Sequence, residues 1–164
     1  MTFSFLPPAR PLVDGELTLH LKCADWEISD RIRVPVYRFI MFQEGIEEEA
    51  GHINLRLGNT DTILRYQGHI GYAVRPPFRG RRFAARSCRL VLPIFQEHGF
   101  TTVWATCNPE NVASLCSLEL AGAVFVEEVD IPQSYPAYWQ GEQAKLRYRF
   151  DLWSLLQQPK QGWQ

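Results

Sequence analysis

Alternating apolar and polar residues divide the first half of the chain into strands. Residues 16–23 (ELTLHLKC) alternate with a period of two, which predicts a strand with one buried face. Residues 34–42 and 52–57 predict a hairpin with an acidic tip, whose carboxylates either attract a cationic substrate or are simply solvated. Residues 63–74 predict a further strand that ends at the following prolines, since paired prolines cannot continue a ladder.

The second half of the chain alternates helices with strands. Apolar residues recur at helical spacing over 81–98, and Gly99 stands where helices commonly end. Pro93 lies inside this pattern and predicts a bend rather than a break. Further along, we expect a buried strand, a second helix and two final strands, at 101–107, 112–121, 123–129 and 145–152.

This order of elements predicts a single α+β domain. We expect a mixed, mostly antiparallel twisted sheet of about seven strands, with helices on its faces and one strand–helix–strand crossover. Residues 1–15 carry three prolines among scattered apolar residues and predict an amino-terminal arm. The domain is expected at 16–152, followed by a tail at 153–164.

Composition narrows the class of protein. A chain of 164 residues with 46% apolar content suits one core, and 17 basic against 18 acidic residues give no overall field for nucleic acid or a membrane. Residues 1–12 lack the basic start and apolar run of a secretory signal, and no apolar run approaches the ~20 residues of a membrane span, so neither is expected. Because no C-x-x-C pair occurs, we expect reduced thiols, no metal and a cytoplasmic protein; the four cysteines are Cys23, Cys88, Cys107 and Cys116.

The most informative segment is 68–85 (GHIGYAVRPPFRGRRFAA). A strand runs into a basic, glycine-containing turn that opens a helix, which directs free backbone amides and the positive helix end to one spot. This arrangement predicts an anion site. The segment contains neither the Walker pattern nor G-x-G-x-x-G, so we expect the anion to be a phosphate group of some other cofactor.

Residues 79–84 (RGRRFA) resemble the [Q/R]-x-x-G-x-[G/A] signature of the GNAT N-acetyltransferase superfamily, with Arg82 in place of the central glycine. The segment from Asn111 to Gly122 is similar to the family's N-x-x-S/A helix. The resemblance implies a sheet splayed at an acetyl-CoA groove. The residues that it implies for cofactor binding are Tyr72, Ala73, Val74, Arg79, Gly80, Arg81, Arg82, Phe83, Ala84, Ala85, Asn108, Asn111 and Ser114.

Two departures from the family concern acid–base chemistry. Leu118 stands where many relatives have the tyrosine that protonates the departing thiolate. Cys116 is the nearest alternative acid, although a helical cysteine is also commonly a small buried apolar residue. Relatives often carry a glutamate where this chain has His69, so His69 is either a base or water organiser, or a plain cross-strand residue.

The acceptor side also departs from the family. One or two helices usually separate the first two strands there, whereas only residues 24–33 are available here. The loop at 131–143 offers Tyr135, Tyr138 and Trp139 as substrate-binding residues, or else is a surface loop or subunit contact. Six arginines between 75 and 89 either bind the CoA 3′-phosphate, are solvated, or form a nucleic-acid patch, which the balanced charge disfavours.

The resemblance therefore implies an N-acetyltransferase that moves acetyl from acetyl-CoA to a primary amine by direct attack in a ternary complex. The acceptor is a small-molecule or peptide amine, a homodimer is possible, and neither nucleic acid nor a membrane is expected as a partner. The alternative is a non-catalytic acyl-CoA-binding or interaction domain that has kept the groove.

Overall fold

A computed structural model describes residues 2–157 of the chain. The strands in this range are Leu12–Asp14 (β1), Leu17–Ser29 (β2), Ile32–Gln43 (β3), Glu49–Arg56 (β4), Ile70–Val74 (β5), Thr102–Cys107 (β6), Val124–Asp130 (β7) and Ala144–Asp151 (β8). The α-helices are Phe83–Glu97 (α1), Val112–Leu120 (α2) and Leu152–Gln157 (α3). Shorter helical turns cover Ile63–Gln67, Pro76–Phe78 and Pro136–Gln140.

The strands form two sheets rather than one. β1 to β5 make a five-stranded sheet in chain order, and the second sheet has the order β6-β8-β7. The predicted α+β class, antiparallel pairing and splay are confirmed: every pairing among the described strands is antiparallel, and the sheets part between β5 and β6. Helix α1 makes the crossover between them. The described strands number eight, because part of the predicted arm pairs as β1.

The segment expected to separate the first two strands is itself strand. β2 continues to Ser29 and turns directly into β3 through Asp30 and Arg31, whose φ values of 49° and 65° suit a two-residue hairpin turn. Its polar residues are satisfied across the sheet, since Arg38 Nη2 donates to Glu27 Oε1 over 2.6 Å. The predicted boundary at residue 23 was wrong because these tertiary contacts outweigh local composition.

The predicted strand at 63–74 was also wrong in its first half. Residues Ile63–Gln67 form a π-helical turn, Gly68 follows with a φ of 76°, and β5 begins only at Ile70. A Cβ on Gly68 would lie 3.1 Å from the Ala105 Cα, so the backbone at this turn lies against β6. That close approach requires glycine and ends any strand before it.

The core lies between the five-stranded sheet and α1. Cys88, Leu92 and Phe95 of this helix are buried against strand residues such as Phe39 and Ile53. The helix is continuous through the exposed Pro93, and it begins at Phe83, slightly later than predicted. The apolar spacing read from the sequence thus marks the buried face correctly.

The amino-terminal arm is held at two places. The Leu6 amide donates to the Tyr37 hydroxyl over 2.6 Å, and the Phe5 ring packs edge-on against Tyr37. Nearer β1, the buried Arg86 of α1 pairs with Asp14 and Glu16 at 2.8 and 2.9 Å. These contacts join the arm to the core on both sides of β1.

The carboxyl-terminal tail was predicted to begin at residue 153, but α3 occupies Leu152–Gln157. Leu152 and Leu155 are buried, so two apolar contacts dock this short helix against the domain. The remainder of the predicted tail, 158–164, lies outside the described residues. Within residues 2–157 no helix is long and apolar enough to cross a membrane.

We expect Gly51→Ala to lower the free energy of unfolding by about 1–3 kcal/mol, because a Cβ there would lie 2.2 Å from the Ala73 carbonyl oxygen and would push β4 and β5 apart. Urea unfolding measures the change. Gly71→Ala is the matched control on the same pair of strands, since its Cβ meets no backbone atom and only the end of the Arg56 side chain, 3.3 Å away. Equal losses in the two variants would contradict this account.

Candidate active site

The site is centred on the gap between β5 and β6. The two sheets meet at the start of β5, where the His69 amide donates to the Trp104 carbonyl over 2.7 Å and the Trp104 amide donates to His69 Nδ1 over 2.8 Å. Beyond this junction, no strand pairing joins residues 70–74 to β6 in the described chain. Since a strand has hydrogen-bonding groups along both edges, the second edge of β5 is open to a ligand.

The start of α1 lies after the end of this open strand. Arg82 has the left-handed values φ 60° and ψ 25°, and the first intrahelical bond runs from the Arg86 amide to the Arg82 carbonyl. The amides of Phe83, Ala84 and Ala85 therefore have no acceptor within the helix. No side chain caps the helix, and the three amides point where an anion is favoured.

Arg82 stands where the family signature has glycine, but its backbone adopts a conformation that glycine favours. The left-handed conformation is the one that glycine adopts most readily. Here an arginine adopts it, so the turn keeps the backbone path that opens the helix. Gly80 also has a positive φ of 86°, with open space around it.

The structure divides the predicted arginine cluster. Arg79 and Arg81 are exposed at the turn, where they donate to the carbonyls of Val74 and Pro77 over 3.1 Å each. Arg86 is buried in its pairs with the arm, Arg75 contacts Glu48, and Arg89 donates to the Leu155 carbonyl. Only the residues at 79–82 therefore lie where an anion at the helix start would meet them.

Helix α2 flanks the gap on the same side as α1. Asn111 begins this helix, and its Oδ1 accepts a hydrogen bond from the Ser114 amide over 3.1 Å. Asn108 contacts the end of the polar loop and β8, since it donates to Glu142 over 3.0 Å and accepts from Lys145. Asn111 therefore positions the helix, whereas Asn108 positions the loop.

Tyr72 and Ser114 are brought together in the gap. Tyr72 alternates with Ile70 and Val74 on the β5 face that packs toward the core. Its hydroxyl lies 2.8 Å from Ser114 Oγ and 3.3 Å from the Ser114 carbonyl. Burial raises the pKa of the Tyr72 hydroxyl above its usual value, so the group stays protonated.

Cys116 is not part of this contact. It is exposed, whereas Leu118 is fully buried. At 3.6 residues per turn, Cys116 is rotated by about 200° from Ser114, which places it on another side of α2. The prediction that Cys116 acts as an acid is therefore not supported by its position.

His69 is held by both of its ring nitrogens. Because Nδ1 accepts from Trp104, Nε2 carries the hydrogen and donates to Asn59 Oδ1 over 3.0 Å. The side chain is buried edge-on against Phe95 and Phe100, and burial lowers its pKa from 6.5 to about 4. These surroundings fit a residue that joins the two sheets, and they do not support the predicted role as a base.

The opposite face of β5 has polar residues that sequence reasoning missed. Glu27 accepts from Arg38 over 2.6 Å and from Arg56 over 3.4 Å. Arg56 also faces Gly71, and burial lowers the pKa of its guanidinium. The available signal was the alternation in β3 and β4, where these arginines stand among buried apolar residues.

The predicted substrate loop places its three aromatic residues differently. Tyr135 is half-buried, its ring lies 5.6 Å from that of Tyr66, and burial raises its pKa while the charge of Arg56 opposes that rise. Tyr138 packs edge-on against Trp139, which is 73% exposed. Tyr135 therefore borders the face that carries Arg56, whereas Trp139 borders solvent.

The family model for the Acetyltransferase (GNAT) domain matches residues 9–124. The chain therefore belongs to the GNAT acetyltransferase family. No curated protein sequence matches it.

Solved structures show the same fold at low sequence identity. A Vibrio cholerae protein, provisionally assigned as a ribosomal-protein-serine acetyltransferase, has a TM-score of 0.61 and 16% identity, covering 89% of this chain and 99% of that one. A Bacillus anthracis GNAT acetyltransferase has a TM-score of 0.53 and 22% identity, covering 70% and 66%. Mycobacterium smegmatis RimJ, in complex with CoA-disulfide, has a TM-score of 0.56 and 17% identity, covering 74% and 56%.

The left-handed Arg82 yields a stability prediction. We expect Arg82→Val to lower the free energy of unfolding by about 1–2 kcal/mol more than Arg82→Gly does, because a β-branched residue tolerates this conformation poorly. Both variants remove the same side-chain contacts, so their difference measures the backbone term in chemical denaturation. Indistinguishable variants would show that the turn has another conformation.

The lowered pKa of His69 predicts a pH dependence. Between pH 6.5 and about 4 the unfolded chain binds a proton at this residue that the folded chain does not. Lowering the pH across this range therefore lowers the free energy of unfolding by roughly 3 kcal/mol. We expect His69→Gln to remove that part of the slope in urea titrations across this range. The exposed His52→Gln should retain it; a wild-type slope in His69→Gln would contradict the prediction.

Proposed function

We propose that the protein transfers an acetyl group from acetyl-CoA to a primary amine by direct attack in a ternary complex. The observation that supports this best is the open edge of β5 leading to the uncapped start of α1. The combination of an open strand edge and a helix start suits a ligand with an amide-bearing arm that ends in phosphates. Pantetheine and the CoA pyrophosphate supply those two parts.

On this proposal, each part of CoA has a binding group. The amides of residues 83–85 hold the pyrophosphate, and the open edge at Tyr72, Ala73 and Val74 pairs with the amides of the pantetheine arm. Arg79, Arg81 and Arg82 offer charge for the 3′-phosphate. The CoA-disulfide bound to the structurally similar RimJ agrees with such a ligand.

The acceptor amine approaches from the other side, where Glu27, Arg38, Arg56 and Tyr135 lie. Both carboxylate oxygens of Glu27 are engaged by arginines, so Glu27 is not a free base. Two guanidinium groups against one carboxylate leave these three side chains with net positive charge. This favours a peptide amine with nearby carbonyl or carboxylate groups over a polyamine.

In the chemical step, the neutral amine attacks the thioester carbonyl, and an amide hydrogen on the β5 edge stabilises the developing oxyanion. The attacking nitrogen loses its proton to solvent, because His69 and Glu27 are both engaged. Within residues 2–157 no group of acidic, histidine or cysteine side chains is arranged to hold a metal.

A second candidate is a non-catalytic acyl-CoA-binding domain. It is favoured by Leu118, which places no ionisable group at that helix position, and by the engagement of His69. This candidate shares the groove but predicts no thiol release. Both functions predict CoA binding, so only a measurement of turnover distinguishes them.

We expect acetyl-CoA and CoA at 100 times their Kd to stabilise the protein by about 2.7 kcal/mol in thermal unfolding. Arg81→Glu should weaken CoA binding roughly tenfold, because it places a carboxylate beside the phosphates. Arg65→Glu is the matched control, since Arg65 lies in the turn at 63–67, away from the start of α1. The absence of any CoA effect would reject both candidates.

Thiol release from acetyl-CoA with short peptides and with small amines then tests transfer itself. Release with a peptide amine supports acetyl transfer. CoA binding without release from any amine would favour the non-catalytic domain.

A further inference from the structure

A phenol lies beside the helix face where the family resemblance expected one, but it comes from another element. Leu118 follows Ser114 by about one turn of α2, so the two side chains share a face. The hydroxyl of Tyr72, on β5, lies 2.8 Å from Ser114 Oγ on that face. The strand thus brings a hydroxyl to the flank of the gap that Leu118 leaves apolar.

The pairing with Ser114 permits an arrangement in which the phenol proton is directed at a ligand. Either hydroxyl can donate in this pair. When Ser114 donates to the phenol oxygen, the Tyr72 proton is directed elsewhere, and the Ser114 carbonyl at 3.3 Å is a long alternative acceptor. A ligand atom in the gap can then take that proton as a shorter hydrogen bond.

Resting on the proposed function, we propose that the Tyr72 hydroxyl donates a hydrogen bond to the CoA sulfur as the carbon–sulfur bond breaks. The amine nitrogen forms its bond to the carbonyl carbon, and the electron pair of the broken bond goes to sulfur. Nitrogen releases one proton to solvent, and the thiolate later takes one from solvent. The products are the acetylated amine and CoA.

A hydrogen bond suits this pair better than full proton transfer. A thiol has a pKa near ~8.5 and a phenol near ~10, and burial raises the pKa of Tyr72 further. The proton therefore stays on oxygen while the bond stabilises the charge on sulfur. The same contact should operate at every pH at which the thiolate forms.

The direct test compares CoA with desulfo-CoA, in which hydrogen replaces the thiol, by calorimetry at pH 9 without an acceptor. We expect the wild-type protein to prefer CoA roughly tenfold, because a hydrogen bond to an ionised group contributes more than a neutral one. Tyr72→Phe keeps the ring and should lose the preference. Equal preference in the wild type and Tyr72→Phe would overturn the proposal.

Tyr148→Phe is the matched control. This phenol also contacts α2, since it lies 3.2 Å from Glu119 Oε1, but it does so from β8. It should retain the wild-type preference for CoA. Loss of the preference in both variants would show that any disturbance of α2 is sufficient and would also overturn the proposal.

Turnover gives a second, separate readout. We expect kcat of Tyr72→Phe to fall roughly 10- to 100-fold with the KM for acetyl-CoA nearly unchanged, since the contact strengthens as charge develops on sulfur. If the wild type releases no thiol with any amine, the transfer proposal fails. A Tyr72-dependent preference for CoA would still establish the contact with sulfur in that case.

Discussion

Two hydrogen bonds between His69 and Trp104 join the sheets at one end of β5, and the gap that forms the candidate site begins beyond that junction. The histidine meets the β6 backbone through its own amide and through its ring, while Asn59 fixes the ring from the other side. Gly68 lets the chain approach β6 closely just before this point. Because the sheets are tied here and are not paired further along, they diverge toward the end of β5. The buried, uncharged His69 therefore lies at the closed end of the gap between β5 and β6 and not inside it.

That opening separates two kinds of chemistry. On one side, helix amides, Tyr72 and Ser114 provide neutral hydrogen-bonding groups, which suit a phosphate-bearing thioester. On the other, Glu27 and two arginines provide a charged surface beside Tyr135. Gly71 lies between the two sides, and its lack of a side chain leaves room for the Arg56 guanidinium. On the proposed function, the donor and the acceptor are recognised independently and meet across the thickness of one strand.

Sequence reasoning predicted the fold class, both long helices and the crossover, because hydrophobic periodicity reports burial directly. It failed at residues 24–29, whose polar side chains are satisfied by partners distant in sequence, and at 63–69, where contact with β6 imposes a turn. The cap at Asn111 is a local contact within the first turn of α2. The hydrogen bonds of the His69 ring could not be predicted from the sequence, because a histidine at this position fits a catalytic base and a buried structural residue equally well. The residues around Arg56 escaped notice since Glu27, Arg38 and Arg56 stand on three different strands and meet only through their side-chain ion pairs.

The direct turn at Asp30 and Arg31 has an evolutionary consequence. Helices commonly occupy this connection in the family that the sequence resembles, and here two residues replace them. Asp30 anchors the turn by accepting from the amide and hydroxyl of Thr62, so the sheet beneath it is complete without an insertion. The length of this connection can therefore differ without altering the junction at His69 or the start of α1, because both lie on other elements. A fold of this kind can gain or lose a peripheral segment at this connection while the elements that open toward the gap keep their places.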